Sequence, residues 1–131
     1  MKLIHALSAA AALALVSSSA FAAGDPEAGA KVFMKCGACH KIGPGAKNGV
    51  GPSLNGVAGR KSGTAEGYNY SEANKNSGLT WDEATFKEYI TGPQKKIPGT
   101  KMTFPGLPKP EDRADIIAWL RQQSDAPVPL P

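Results

Sequence analysis

Cysteine and histidine are scarce in this chain: two of each stand among 131 residues. Two cysteines allow at most one disulfide, which excludes the disulfide-dense secreted scaffolds. Aromatics make up only 7% of the residues. Alternating β-branched runs are few, so a sheet is not expected. Neither sign of charge dominates, with Lys+Arg 15 against Asp+Glu 11 and a formal net charge of +4. That excess, without basic and aromatic residues interleaved, argues against nucleic acid as a partner. There is no internal repeat, and the length admits one domain. What the chain has in quantity is backbone breakers, Gly 15 and Pro 11, so long loops are expected and something must hold them down.

Only one sustained apolar run occurs, at the start. Lys2 is followed by an apolar stretch from Ala6 to Val16, broken only by Ser8, and then by Ala20-Phe21-Ala22. A basic start, a short apolar core and an A-x-A site define a secretory signal peptide, so residues 1–22 are expected to be cleaved at Ala22–Ala23. The run is shorter than the roughly 20 residues a spanning helix needs. Stable membrane insertion is therefore not expected, and the mature chain is placed in a bacterial periplasm. It would keep one histidine, His40, and two methionines, Met34 and Met102. Residues 23–123 are expected to form the domain, and 124–131, with three prolines, an extended tail.

Three helices are legible, giving an all-α fold. The first opens at Asp25-Pro26, a capping acid before a proline, with Gly29, Val32 and Phe33 on one face. The second opens at Thr80-Trp81-Asp82-Glu83, read as a capping box. Phe86, Tyr89 and Ile90 form its buried side, and Gly92-Pro93 its stop. The third opens at Pro110-Glu111-Asp112, with acids where the helix dipole favours them. Its apolar stripe is Ile116, Trp119 and Leu120, and Arg121 lies in its last turn. Between Lys41 and Tyr70 lies a stretch with eight glycines and little periodicity. A structureless loop of that length is unusual inside a compact domain, unless it wraps a large apolar cofactor.

Cys36-Gly37-Ala38-Cys39-His40 is C-x-x-C-H, the c-type haem attachment sequence. Its thiols add across two porphyrin vinyl groups, and the histidine that follows is brought under the iron. Three other readings compete: a redox dithiol, which usually accompanies a βαβ pattern; half of a zinc site, short of the four ligands zinc wants; and a local disulfide. If haem is bound, the sixth ligand decides between electron transfer and an open, reactive iron. No second histidine is available, and Met34 is too close to Cys36 to reach the other haem face. Met102 remains, on a loop after Pro98 and Gly99, either as a thioether ligand or as a core gap-filler.

From Gly24 to Gln123 the chain resembles the class I c-type cytochromes, in particular the bacterial cytochrome c2 branch, which is close to mitochondrial cytochrome c. The resemblance rests on the attachment pentapeptide and on Gly51-Pro52-Ser53-Leu54, Gly59-Arg60-Lys61, Tyr70 with Ala73-Asn74-Lys75-Asn76, Leu79-Thr80-Trp81, Pro98-Gly99-Thr100-Lys101-Met102 and Asp115-Ile116-Ile117-Ala118-Trp119-Leu120. It implies the class I cytochrome c fold, with N- and C-terminal helices crossing and loops wrapped around one haem c. It implies His40 and Met102 as iron ligands and the Pro52 carbonyl as partner of the His40 ring N–H. Arg60, Tyr70, Asn74 and Trp81 would lie around the haem propionates, and Tyr89 near the methionine sulfur. Thr100 joins the cofactor-binding set. Gly29 and Phe33 would pack on Ile116 and Trp119. Two departures favour the bacterial branch or leave a role open: only Met34 and Lys35 separate Phe33 from Cys36, and Asn48 stands where many mitochondrial relatives have an inter-loop histidine.

The expected function is one-electron transfer, not catalysis. Lys35, Lys95, Lys96, Lys101 and Lys109 flank the ligand segments and, with the family's docking face as precedent, would form a ring steering the carrier to acidic partners. The resemblance implies a monomer serving a cytochrome bc1 complex upstream and a photosynthetic reaction centre or terminal oxidase downstream, with a periplasmic dehydrogenase as a further donor. The competing functions are a small haem peroxidase or gas-binding protein, if Met102 does not ligate, and a haem-free thiol–disulfide protein.

Overall fold

The computed structural model describes residues 24–123. The expected signal peptide and proline-rich tail lie outside the described residues. Helix α1 spans Pro26–Val32, a single 3-10 turn follows at Phe33–Lys35, and then come α2 at Glu72–Lys75, α3 at Glu83–Thr91, α4 at Pro93–Lys96 and α5 at Pro110–Gln122. No strand occurs among the described residues, and sheet-like pairing is limited to one antiparallel bridge between Lys61 and Thr80. No helix among the described residues is long and apolar enough to cross a membrane.

Helix α1 starts where its cap predicts. The Asp25 carboxylate accepts from Glu27 N at 2.9 Å, and Pro26, which has no N–H to leave unpaired, takes the first turn. Asp25 N donates to Asp115 Oδ1 at 2.7 Å, fastening the start of α1 to α5. The two helices cross at Gly29, which is buried, and the Phe33 and Trp119 rings meet at 4.6 Å beside the crossing.

Helix α3 corrects the capping-box expectation. Its N-cap is Asp82, whose carboxylate accepts from Thr85 N at 2.8 Å. Thr80 is committed to the bridge with Lys61, and the next residue is held extended, Trp81 N donating to Arg60 O at 2.9 Å. Helix α3 stops at Gly92 as expected, but Pro93 then begins α4, so Gly92 closes one helix and opens the next. The short α2 and α4 were not foreseen. Helix α2 is capped by Ser71, whose Oγ accepts from Asn74 N at 3.1 Å.

Helix α5 buries Ile116, Ile117, Leu120 and Arg121, while Trp119 is only half-buried. The expected Ile116–Trp119–Leu120 stripe faces the core, with Trp119 packed against it, and Ile117 and Arg121 widen it. Tyr89 and Ile90 of α3, Leu107 and Val57 complete a core that also contains Trp81. Each such side chain contributes about 1.5–3 kcal/mol on burial. The long loop 41–70 adds few residues to this core and lies against one side of a cavity.

Candidate functional site

The end of α1 sets the chemistry in place. The 3-10 turn continues into the attachment pentapeptide, with Cys36 N and Gly37 N donating to Phe33 O at 2.8 and 3.0 Å and His40 N to Cys36 O at 2.9 Å. These successive turns bring Cys36, Cys39 and His40 to the wall of a cavity of 360 Å³. Both cysteines are free, Cys36 half-buried and Cys39 exposed. Burial, then the neighbouring Cys39, raises the Cys36 thiol pKa against a smaller opposing effect of Lys35. A redox dithiol needs the reverse, a depressed thiol. Among the described residues no group of three or more His, Cys, Asp or Glu could hold a metal ion, so a zinc site lacks its ligands.

His40 Nδ1 donates to the Pro52 carbonyl at 2.8 Å. A carbonyl only accepts, so this contact fixes the neutral tautomer and leaves the Nε2 lone pair available. Burial lowers the ring's pKa; the Pro52 bond raises it in part, and Arg60 lowers it further. Gly51 makes room for the ring, since a β-carbon there would stand 2.4 Å from His40 Cε1. The loop bearing Pro52 is tied down twice: Asn48 Nδ2 donates to Glu66 O and Asn48 Oδ1 accepts from Ser53 N, both at 2.8 Å. Asn48 thus makes the inter-loop bond that the sequence left open. Tyr68 OH adds a third tie, donating to Val50 O at 2.7 Å.

The remaining predicted cofactor residues line the same cavity: Pro52, Arg60, Tyr70, Asn74, Trp81, Tyr89, Thr100 and Met102. Phe33, Leu54, Val57, Ile90, Leu107 and Leu120 supply apolar wall. Arg60 donates from Nη1 to Asn55 O at 3.0 Å and from Nη2 to Ser53 O at 3.2 Å, but its buried Nε has no partner among the described residues. Ser62 Oγ, on the same wall, is also buried without one. Tyr70 OH accepts from Ala65 N at 2.9 Å. Tyr89 OH and Thr100 Oγ1 are 3.4 Å apart, and burial raises the Tyr89 phenol pKa.

Of the five predicted docking lysines, Lys35 and Lys101 line the cavity, whereas Lys95, Lys96 and Lys109 do not. Sequence reasoning missed Ser62, Tyr68 and Gln94. Gln94 Nε2 donates to Thr100 O at 3.0 Å and to Met102 O at 2.8 Å. No local pattern marks these residues: Tyr68 and Gln94 act across loop contacts, and Ser62 lies on the cavity wall.

An apolar cavity, two free thiols, a tautomer-fixed imidazole, a thioether and unpartnered polar groups beside a guanidinium fit one cofactor, haem c, with the orphaned Arg60 Nε and Ser62 Oγ as candidate partners for its carboxylates. They define the polypeptide as a c-type haem protein. The Cytochrome c family model matches residues 26–124. Cytochrome c2 of Rhodoblastus acidophilus is 80% identical over 100 residues, covering 76% of this chain and 94% of that protein. Cytochrome c of Cannabis sativa is 53% identical over 102 residues, covering 77% and 92%. Among solved structures, cytochrome cH from Methylobacterium extorquens superposes with a TM-score of 0.72 at 53% identity, covering 76% of this chain and 99% of that one. The chain belongs to the cytochrome c family. It is an electron carrier and not an enzyme, and it holds haem c covalently through Cys36 and Cys39.

Proposed function

We propose that the protein is a soluble, monomeric, periplasmic one-electron carrier, exported by a signal peptide cleaved after Ala22. It takes electrons from a cytochrome bc1-type complex, or from a periplasmic dehydrogenase, and passes them to a photosynthetic reaction centre or a terminal oxidase. His40, through its free Nε2, and Met102, through its thioether, would hold the iron. The observation that carries this reading is that Cys36, Cys39, His40 and Met102 all line one cavity while Pro52 fixes the His40 tautomer.

When bound, haem c supplies iron that alternates between Fe(II) and Fe(III). The chain's own groups keep that change small in structural cost. Pro52 orients the imidazole and raises its donor strength. A neutral thioether favours the reduced state relative to a second imidazole. The wall from Phe33 to Leu120 excludes water, and Arg60, Tyr70, Asn74 and Trp81 would receive the haem carboxylates, directly or through water.

Absorption spectra of the periplasmically matured protein, oxidised, reduced, and reduced under carbon monoxide, test the ligand set. A c-type reduced spectrum, a weak far-red methionine–iron band when oxidised and indifference to carbon monoxide are expected. Carbon monoxide binding without that band would put an open-site haem protein in place of this reading. N-terminal sequencing of the same material should begin at Ala23.

A further inference from the structure

The main chain around Met102 is thinly held. It belongs to no helix, and after Thr100 N, which donates to Ile97 O at 3.0 Å, the next main-chain to main-chain donor among the described residues is Leu107 N. A side chain makes up the deficit. Gln94 is the second residue of α4, directly after Pro93, whose side chain is less than 2% exposed and anchors that turn. From this fixed point the Gln94 amide reaches two carbonyls, Thr100 O at 3.0 Å and Met102 O at 2.8 Å. Both only accept, so the chemistry dictates which end of the amide faces them. Met102 N closes the same turn from within, donating to Thr100 Oγ1 at 3.3 Å.

We infer that Gln94 is a positioning residue: its two donors brace the main chain on either side of Lys101 and so hold the Met102 thioether on the iron. The inference rests on Met102 being the sixth ligand. Gln94 itself is exposed and outside the core, so its loss should free the ligand loop without undoing the fold.

The test is an imidazole titration of the ferric holoprotein, comparing wild type with Gln94→Glu and Gln94→Ala. Imidazole takes the sixth position only in molecules whose thioether has left, so its apparent affinity reports that population. Gln94→Glu keeps the size but sets a carboxylate against two carbonyls. Imidazole affinity should rise about tenfold in this variant at neutral pH and less in Gln94→Ala, where water can reach the carbonyls. A role confined to fold stability would move the unfolding midpoint and not this ligand exchange. Unchanged imidazole affinity in both variants, with the far-red band present in wild type, would overturn the role of Gln94 alone. Absence of that band in wild type would overturn the Met102 ligation and this inference with it.

Discussion

The backbones of Gly29 in α1 and Asp115 in α5 pass so close that a β-carbon on Gly29 would stand 2.1 Å from the Asp115 carbonyl oxygen. The same β-carbon would meet Trp119 Cβ at 2.7 Å. Neither obstacle is the end of a flexible side chain, so the helices must separate to admit it. Gly29→Ala should destabilise the holoprotein by about 3 kcal/mol, at the upper end of overpacking costs. Guanidinium unfolding followed by far-UV circular dichroism measures it; a loss under about 0.5 kcal/mol would mean that α1 and α5 can slide apart freely.

Gly51 stands in the same relation to the chemistry. A β-carbon there would lie 2.4 Å from His40 Cε1 and 2.7 Å from Nδ1. Gly51→Ala should therefore push the imidazole off the Pro52 carbonyl. The expected outcome is a lower yield of matured protein and, if His40 ligates the iron, carbon monoxide binding by whatever matures, because a displaced ring frees a coordination position. Normal yield with no carbon monoxide binding would show that the ring does not depend on this gap.

The three longer helices were legible because their signals are local. Asp25-Pro26 marks the start of α1, and the acids after Pro110 mark the start of α5. The two four-residue helices were not, since helices far below about 12–15 residues owe their existence to tertiary contacts. Pro93 illustrates the point: it reads as a stop, yet its burial makes it the start of α4. At α3 the cap expected at Thr80 falls instead at Asp82, because the Thr80 backbone pairs with Lys61, a residue 19 positions away. The cavity residues fared better than the elements, because the motifs that carry them are contiguous. Asn48 and Gln94 were harder: their amides work on carbonyls 18 and 8 residues distant, at separations no periodicity reveals.

Acid should loosen the contact between α3 and α5. Glu83 accepts from Lys87 Nζ at 2.6 Å and from Arg121 Nη2 at 3.0 Å. The Lys87 bond chiefly, with help from Arg121 and against some burial, holds the Glu83 pKa below its ordinary 4.5. A carboxyl depressed by folding contributes stability above its unfolded value and loses it as pH falls through the folded one. The unfolding midpoint of wild type should thus drop as pH is lowered below about 4.5, and that dependence should weaken in Glu83→Gln. At neutral pH this variant should be less stable by about 1–2 kcal/mol, since Arg121 is buried and loses its counter-charge. Identical pH profiles for the two proteins would show that the α3–α5 ion pair is energetically silent.

The five candidate docking lysines are not equivalent, and their pairing ranks them. Lys96 is already bonded to Glu88, and Lys35 Nζ lies 3.6 Å from Asp112. Lys101 lines the cavity and, among the described residues, gives its ammonium only to the Asn69 carbonyl, at 2.7 Å, with no carboxylate beside it. If a positive rim steers this carrier to an acidic partner, the field comes mostly from the unpaired groups. Electron-transfer rates with a membrane redox complex at low salt should then fall about threefold to tenfold in Lys101→Ala, less in Lys35→Ala and least in Lys96→Ala. The spread should close as ionic strength rises and the Debye length contracts to about 8 Å at 0.15 M. Stopped-flow measurement across a salt series supplies both readings. A flat salt profile would remove the steering role from all five lysines, whereas a steep profile with Lys96→Ala as the slowest variant would mean that the Glu88 pair opens on docking.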